Sequence, residues 1–525
     1  MSATRYGIGA AVVTLVTTGA FADAPNHPIA TLTASVRDMV IQYDLPSDAP
    51  SIGFAANGTN AERTGWEFAQ AGFAVVGNAI RRTDGASFRR ATAIISPDTK
   101  MIDRVYPQAL RVGEGWQLYG PSLQTRMGDA RLKVHMPRGW IVAPSRSLAG
   151  SFYVGPGNYL RAGIVSPPAI PNELRSVAAA SLERARATYI RWLAVAPPAR
   201  PLVIMAVDPT LRWGWRGDST PGAISLRFAP ATIAGPVPDD GVARFVAHEL
   251  FHDWWQGKLA LPSGERGAWI EEGMAEYSAL LASNDDATIA TELARHLNGC
   301  SDALAPAGLL AAPPTTGSAV YDCGTVFQWL RDLQRRQGSH GRDNAFSAWS
   351  GLLRRAGRMH VPIQWTDVIA APATVTGPDA AKGLLDGDAD RWPHLVTALN
   401  ALGAQLLPAQ DEGEVRILVL KHLLTLACRD RIGFFTQAGS VKLDTGDRCG
   451  PLNGDPVVDA VAGHRLFTDA AGAFDAVAAL CASNRRVPFE SNGRVVAALT
   501  CGKALPPAPK RWTVRAWHAM GNPSV

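Results

Sequence analysis

The chain has 525 residues, 47% apolar and 18% charged, which is ample for packed cores and excludes a disordered or coiled-coil protein. Lys and Arg exceed Asp and Glu by 51 − 46 = +5, with no long basic cluster, so nucleic acid is not an expected partner. Fifty Gly and 37 Pro without a Gly-X-Y period imply many turns, not collagen.

The first residues read as an address. Arg5 is followed by the uncharged stretch YGIGAAVVTLVTTGAFA, ending in Ala20-Phe21-Ala22, the pattern of a cleavable secretory signal at 1–22. No later segment reaches eighteen apolar residues, so no stable membrane insertion is expected after cleavage and the protein is expected to be periplasmic or secreted. Export makes the six cysteines meaningful, and sequential disulfides 300–323, 428–449 and 481–501 are expected.

From 29 to about 165, short alternating runs such as SVRDMVIQYDL and ARLKVHM predict a mostly antiparallel β region, giving a β-rich N-terminal domain over 23–198. A long helix follows, with Asn172 as its cap and Pro197-Pro198 as its stop. PLVIMAV at 201–207 and AISLRFA at 223–229 predict paired strands. Helices are predicted at 241–256, 272–284, 288–297, 323–337, 343–356 and 393–404, within a catalytic domain of 199–408. LLPAQDEGE reads as a linker, and 409–525 as a small disulfide-containing domain of short strands around one helix near 468–482.

The chemistry concentrates in GVARFVAHELFHDWWQG, with Asp240 as a helix cap and Gly257 as its end. His248 and His252 lie one turn apart, so both imidazoles can bind one metal. Glu249 is rotated about a quarter turn further and can take a proton from a water whose pKa zinc lowers, as that water attacks a carbonyl. A third ligand is sought in AWIEEGMAEY, where Glu271, Glu272 and Glu276 compete. Glu272 and Glu276 share a helix face, which makes Glu272 a coherent ligand and Glu276 its support, with Glu271 about 100° away.

HELFHDWWQGKL followed by AWIEEGMAEY resembles the gluzincin zinc metallopeptidases, and within them the neutral and glycyl aminopeptidases. The resemblance implies Zn2+ held by His248, His252 and Glu272, with Glu249 as general base. It also implies that Tyr321, in Tyr321-Asp322-Cys323-Gly324, donates to the oxyanion of the tetrahedral intermediate. The expected fold is α+β multidomain: a β-rich N-terminal domain, a thermolysin-like catalytic domain and a small C-terminal domain, either PDZ-like or a disulfide-tied cap. The expected function is hydrolysis of peptide or protein substrates. The family's Gly-x-Met-Glu-Asn edge strand, whose Glu binds the substrate amine, maps onto Gly222-Ala223-Ile224-Ser225-Leu226. Ser225 replaces the acid there and Arg227 follows, so amine-directed selectivity from this strand is expected to be weak. Glu271, if it is not a ligand, is an alternative amine anchor. Two other readings stand beside the peptidase: a zinc hydrolase of another substrate class, and a peptide-binding or envelope-interaction protein whose metal is structural.

Overall fold

The computed structural model describes residues 27–54, 66–95, 109–127, 131–144, 148, 150–235, 239–255, 258–261, 265–315, 317–371, 379–428 and 433–518. Before residue 27 only the backbone of a short strand, Val13–Leu15, is described, so the cleavage point and the rest of the signal segment lie outside the described residues. The side chain of Asp240 and all of Gly257, expected to cap the metal helix, lie outside them too. The chain forms two compact units. One holds the residues up to Asp285 with Ala312–Asp379, and the other holds Asp286–Ala311 with Ala380–Asn522.

In the first unit, the N-terminal β region is a two-layer sandwich. Along Met39–Ala49, MVIQYDL alternates buried and half-buried positions, as a strand with one core face must. Ile29–Ala34 and Phe88–Ile95 flank it antiparallel, and Arg131–Met136 pairs parallel with Ile29–Ala34. A second sheet runs in the order Trp140–Ala143, Ser151–Pro156, Gly115–Tyr119, Ala109–Val112. Tyr43, Phe54, Trp116 and Phe152 fill the space between the two layers.

A five-stranded sheet follows, in the order Leu160–Arg161, Ile164–Val165, Leu202–Val207, Ala223–Phe228, Trp215–Thr220. Leu202–Val207 and Ala223–Phe228 pair as expected and run parallel, buried on both faces as interior parallel strands are. Ala223–Phe228 is therefore not the edge strand assumed from sequence. The edge is Trp215–Thr220, which pairs antiparallel with it. Its sequence, WRGDST, carries Gly, Asp and Ser, residues that signal a turn and hid the strand.

The long helix is Asn172–Leu193, with Pro171 at its cap, so Asn172 is its first helical residue and caps nothing. It packs beside Asp239–Trp255, the helix carrying His248. Ala268–Ser283, Ala319–Gly338 and Ala345–Met359 complete the helical part of this unit.

The second unit contains Asp286–Ala303, Arg391–Ala401, Glu412–Ala427 and Ala470–Ala482, together with short antiparallel strands. The expected linker is instead a strand, Gln405–Ala409, and the start of the Glu412–Ala427 helix. Asp411 caps that helix by accepting from the Glu414 amide at 2.8 Å. Its run ILVLKHLLTLA is apolar on nearly every face, so no helical period announced it. The last strand, Arg511–Ala516, lies antiparallel to Gln405–Ala409. Arg511 there forms ion pairs with Asp302 at 2.7 Å and Glu414 at 2.6 Å. Trp512 and Asn298 exchange two hydrogen bonds of 3.0 and 3.1 Å. Disulfides join Cys428 to Cys449 and Cys481 to Cys501, as expected, and Cys300 and Cys323 are disulfide-bonded as well.

Candidate metal centre

The Asp239–Trp255 helix is anchored before it does any chemistry. Val246, Ala247, Leu250, Phe251 and Trp254 are buried. From the Asn172–Leu193 helix, the Ser181 and Tyr189 hydroxyls donate to the carbonyls of Ala243 and Ala247 at 2.6 and 3.0 Å. Tyr189 also packs edge-on against Phe251 and Trp254. The opposite side of the helix is thereby fixed, with His248 and His252 one turn apart.

Three donor atoms converge there. His248 Nε2 lies 3.0 Å from Glu272 Oε2 and 3.2 Å from His252 Nε2, and His252 Nε2 lies 3.6 Å from the same Glu272 oxygen. A tetrahedral ion with bonds of about 2.0–2.1 Å separates its ligands by roughly 3.3–3.4 Å, and the three observed separations bracket that figure. The outer ring nitrogens are held as well. His248 Nδ1 is 3.0 Å from Glu276 and His252 Nδ1 is 3.3 Å from Glu271. Arg244 in turn sits 3.6 Å from Glu276. Such outer carboxylates fix tautomer and ring orientation. Glu276 takes the supporting place expected of it. Glu271 does not point away or into the cleft: it is engaged by His252, because the two imidazoles are a turn apart and carboxylates on adjacent faces each meet a different ring.

The field of the cluster is negative. Burial lowers the His248 pKa, but Glu272 and Glu276 overcome it and the ring is pushed up to about 9. Burial likewise opposes charging of His252, and Glu272 and Glu271 raise it well above the usual histidine range. Burial would raise Glu272, yet the two imidazoles hold it well below the usual carboxylate range. Glu249, on the same helix, is raised by burial against the pull of both histidines, and accepts a hydrogen bond from the Ser219 hydroxyl.

Tyr321 lies in the first turn of Ala319–Gly338, 39% exposed, its ring centroid 5.7 Å from that of His248. Two glycines explain how it gets there. A Cβ on Gly273 would collide with Gly324, and one on Gly324 would collide with the Trp269 carbonyl and Gly273. The Glu-Gly and Tyr-x-x-Gly motifs thus meet backbone to backbone. Deeper in, Tyr277 donates to Asp332 at 2.9 Å, and Asp332 also accepts from Arg336 and from the Ala345 amide, both at 2.7 Å. This buried knot ties three helices together behind the site.

The strand assigned to substrate recognition from sequence lies elsewhere. Ser225 is 1% exposed and donates to Gln117 at 3.0 Å. Arg227, 2% exposed, is shared by Asp208 and Asp218 at 3.5 Å each, so it presents no free cation to a substrate. Burial pushes Asp218 up to about 7 against the pull of Arg227. The residues not foreseen from the sequence, Asp218 and Ser219, carry no motif of their own; Glu271 was among the competing acids, and what was not foreseen is its engagement with His252. Among the described residues a second group, His422 with Cys481 and Cys501, also has ligand spacing, but its sulfurs are committed to each other.

Among solved structures, the chain resembles an aminopeptidase N family protein from Idiomarina loihiensis at 14% identity and a TM-score of 0.60, over 94% of this chain and 98% of that one. An M1 zinc metallopeptidase mutant from Deinococcus radiodurans, solved with a Tyr-Ser-Ala substrate, aligns at 14% identity and a TM-score of 0.36 over 71% of this chain and 93% of that one. Native yeast LTA4 hydrolase aligns at 12% identity and a TM-score of 0.38 over 78% and 74%. No protein-family model and no curated protein matches the chain. The first likeness shows the fold, an α+β multidomain architecture with a β-rich N-terminal part, as expected from sequence.

Proposed function

We propose that this chain is an exported zinc metallopeptidase that hydrolyses peptide bonds in peptide or protein substrates. The observation that carries the reading is the convergence of His248, His252 and Glu272 at tetrahedral spacing, with Glu249 on the same helix and Tyr321 against His248. The donor set, two imidazoles and one carboxylate with each ring backed by a second carboxylate, suits zinc and leaves a fourth position open. When bound there, zinc supplies Lewis-acid polarisation and acidifies water.

The chain's own residues do the rest. Glu271 and Glu276 hold both Nε2 atoms inward. Glu249, kept from charging too readily by burial, takes the proton of the attacking water and passes it to the leaving amine. The Tyr321 hydroxyl donates to the oxyanion that forms on the carbonyl oxygen. An intact base beside the ligands supports catalysis over a purely structural metal, which has no use for one. The fold likeness to an aminopeptidase N family protein supports the peptidase class. Six cysteines without a free thiol support an oxidising compartment, periplasmic or extracellular. Among the described residues no helix is long and apolar enough to cross a membrane.

The test is Glu249→Gln. Expected are one zinc per chain by elemental analysis, as in the wild type, and peptide hydrolysis reduced by about 10²–10⁴-fold, the scale of a lost general base. Unchanged hydrolysis, or a zinc-loaded wild type inactive on a broad peptide library, would overturn the reading.

A further inference from the structure

The edge strand Trp215–Thr220 lies against the metal helix in a register that repeats. A Cβ on Gly241 would meet the Trp215 ring, and a Cβ on Gly217 would meet the Phe245 ring. Ser219 reaches Glu249. Strand positions 215, 217 and 219 thus face helix positions 241, 245 and 249. The physical basis is a near-match of steps: two strand residues advance about 6.6 Å and four helix residues about 6.0 Å. The ladder agrees. The Ala229 amide donates to the Gly214 carbonyl at 3.0 Å. By the alternation of an antiparallel pair, residues 216 and 218 are then also turned to Ala223–Phe228 by their backbones. The side chains at 215, 217 and 219 take the helix side of the sheet.

We infer that Ser219 is a positioning residue for Glu249, its hydroxyl holding the carboxylate in the orientation from which it exchanges protons with water and the leaving amine. This rests on the metallopeptidase reading. Its work is done through Glu249. Gly217 is required because only a residue without a Cβ lets the strand lie flat on Phe245 and deliver Ser219 one step further on.

The experiment compares zinc-loaded wild type, Ser219→Ala, Ser219→Thr and Gly217→Ala. Ser219→Ala is expected to lower kcat about 10–100-fold, the scale of a lost hydrogen bond to a charged group, with KM within twofold and zinc content and Tm unchanged. Ser219→Thr, which keeps the hydroxyl, is expected to recover kcat to within about threefold, and Gly217→Ala to lose kcat although the hydroxyl is present. A Ser219→Ala kcat within twofold of wild type, or a Thr variant as slow as the Ala variant, overturns the inference while leaving the function standing. Crystal structures of zinc-loaded wild type and Ser219→Ala decide independently of activity: a Glu249 side chain that keeps the same rotamer without the hydroxyl also overturns it. Wild type inactive on peptides, with Glu249 re-oriented in Ser219→Ala, would instead sink the function and keep the positioning role.

Discussion

Each imidazole of the site is engaged at both nitrogens, and that sorts the three competing glutamates by what their loss should do. Glu272 alone faces both Nε2 atoms. Glu272→Ala is therefore expected to abolish stoichiometric zinc binding. Glu271→Ala should weaken zinc affinity or activity by about 10–100-fold without abolishing binding, the range for an outer partner of a ligand histidine. Zinc titration against a competing chelator separates them, and equal losses would mean that Glu271 ligates too. Tyr321→Phe is expected to leave zinc content unchanged and to lower kcat by about 10²–10³-fold, because an oxyanion donor acts mainly in the transition state. A kcat equal to wild type would reduce Tyr321 to a packing neighbour of His248. At this scale the sequence was legible where chemistry restricts residue type and spacing together: two histidines a turn apart, a base between them, an acid before a glycine. It was silent on Ser219 and on the partner of Glu271, which are set by how elements lie against each other.

The contact of Gly273 with Gly324 turns two short motifs into one object. Gly324→Ala puts a methyl into the backbone of the neighbouring helix and has no flexible side chain to displace. We expect a loss of about 1–3 kcal/mol by denaturation, the usual cost of overpacking, and a fall in kcat because Tyr321 is carried by the same first turns. A variant as active and as stable as wild type would show that the helices can part without consequence. The strongly patterned elements were readable: Met39–Ala49 by alternation and Asp239–Trp255 by its motif. Two failures share a cause. WRGDST and ILVLKHLLTLA depart from the pattern of their element in opposite directions, one too polar and turn-like, the other apolar throughout, and tertiary burial decided both. Because Ala223–Phe228 is an interior strand, its Ser225 and Arg227 are buried on other partners and not presented to a substrate.

At the scale of the whole molecule, the cysteine arithmetic carried over well. The Cys428–Cys449 and Cys481–Cys501 bonds span 21 and 20 residues, and loops of that size are worth about 3 kcal/mol each in the chain-entropy account. Replacing Cys481 and Cys501 by Ser is expected to lower the melting temperature clearly by calorimetry, with zinc still bound at one per chain. An unchanged melting temperature would mean that the packing of Val477, Phe489 and Leu499 around the bond suffices without it. The strand Arg511–Ala516 has a further consequence, for the order of events on the ribosome. Its Trp512 bonds Asn298 across 214 residues, and its Arg511 bonds Asp302 across 209. At roughly 5–20 residues per second, the helix Asp286–Ala303 waits about 10–40 s for these partners. Until then, Asn298 and Asp302 are without the groups that satisfy them in the finished fold. This strand is the clasp of that unit, and a chain that lacks it leaves both residues of the helix without those partners.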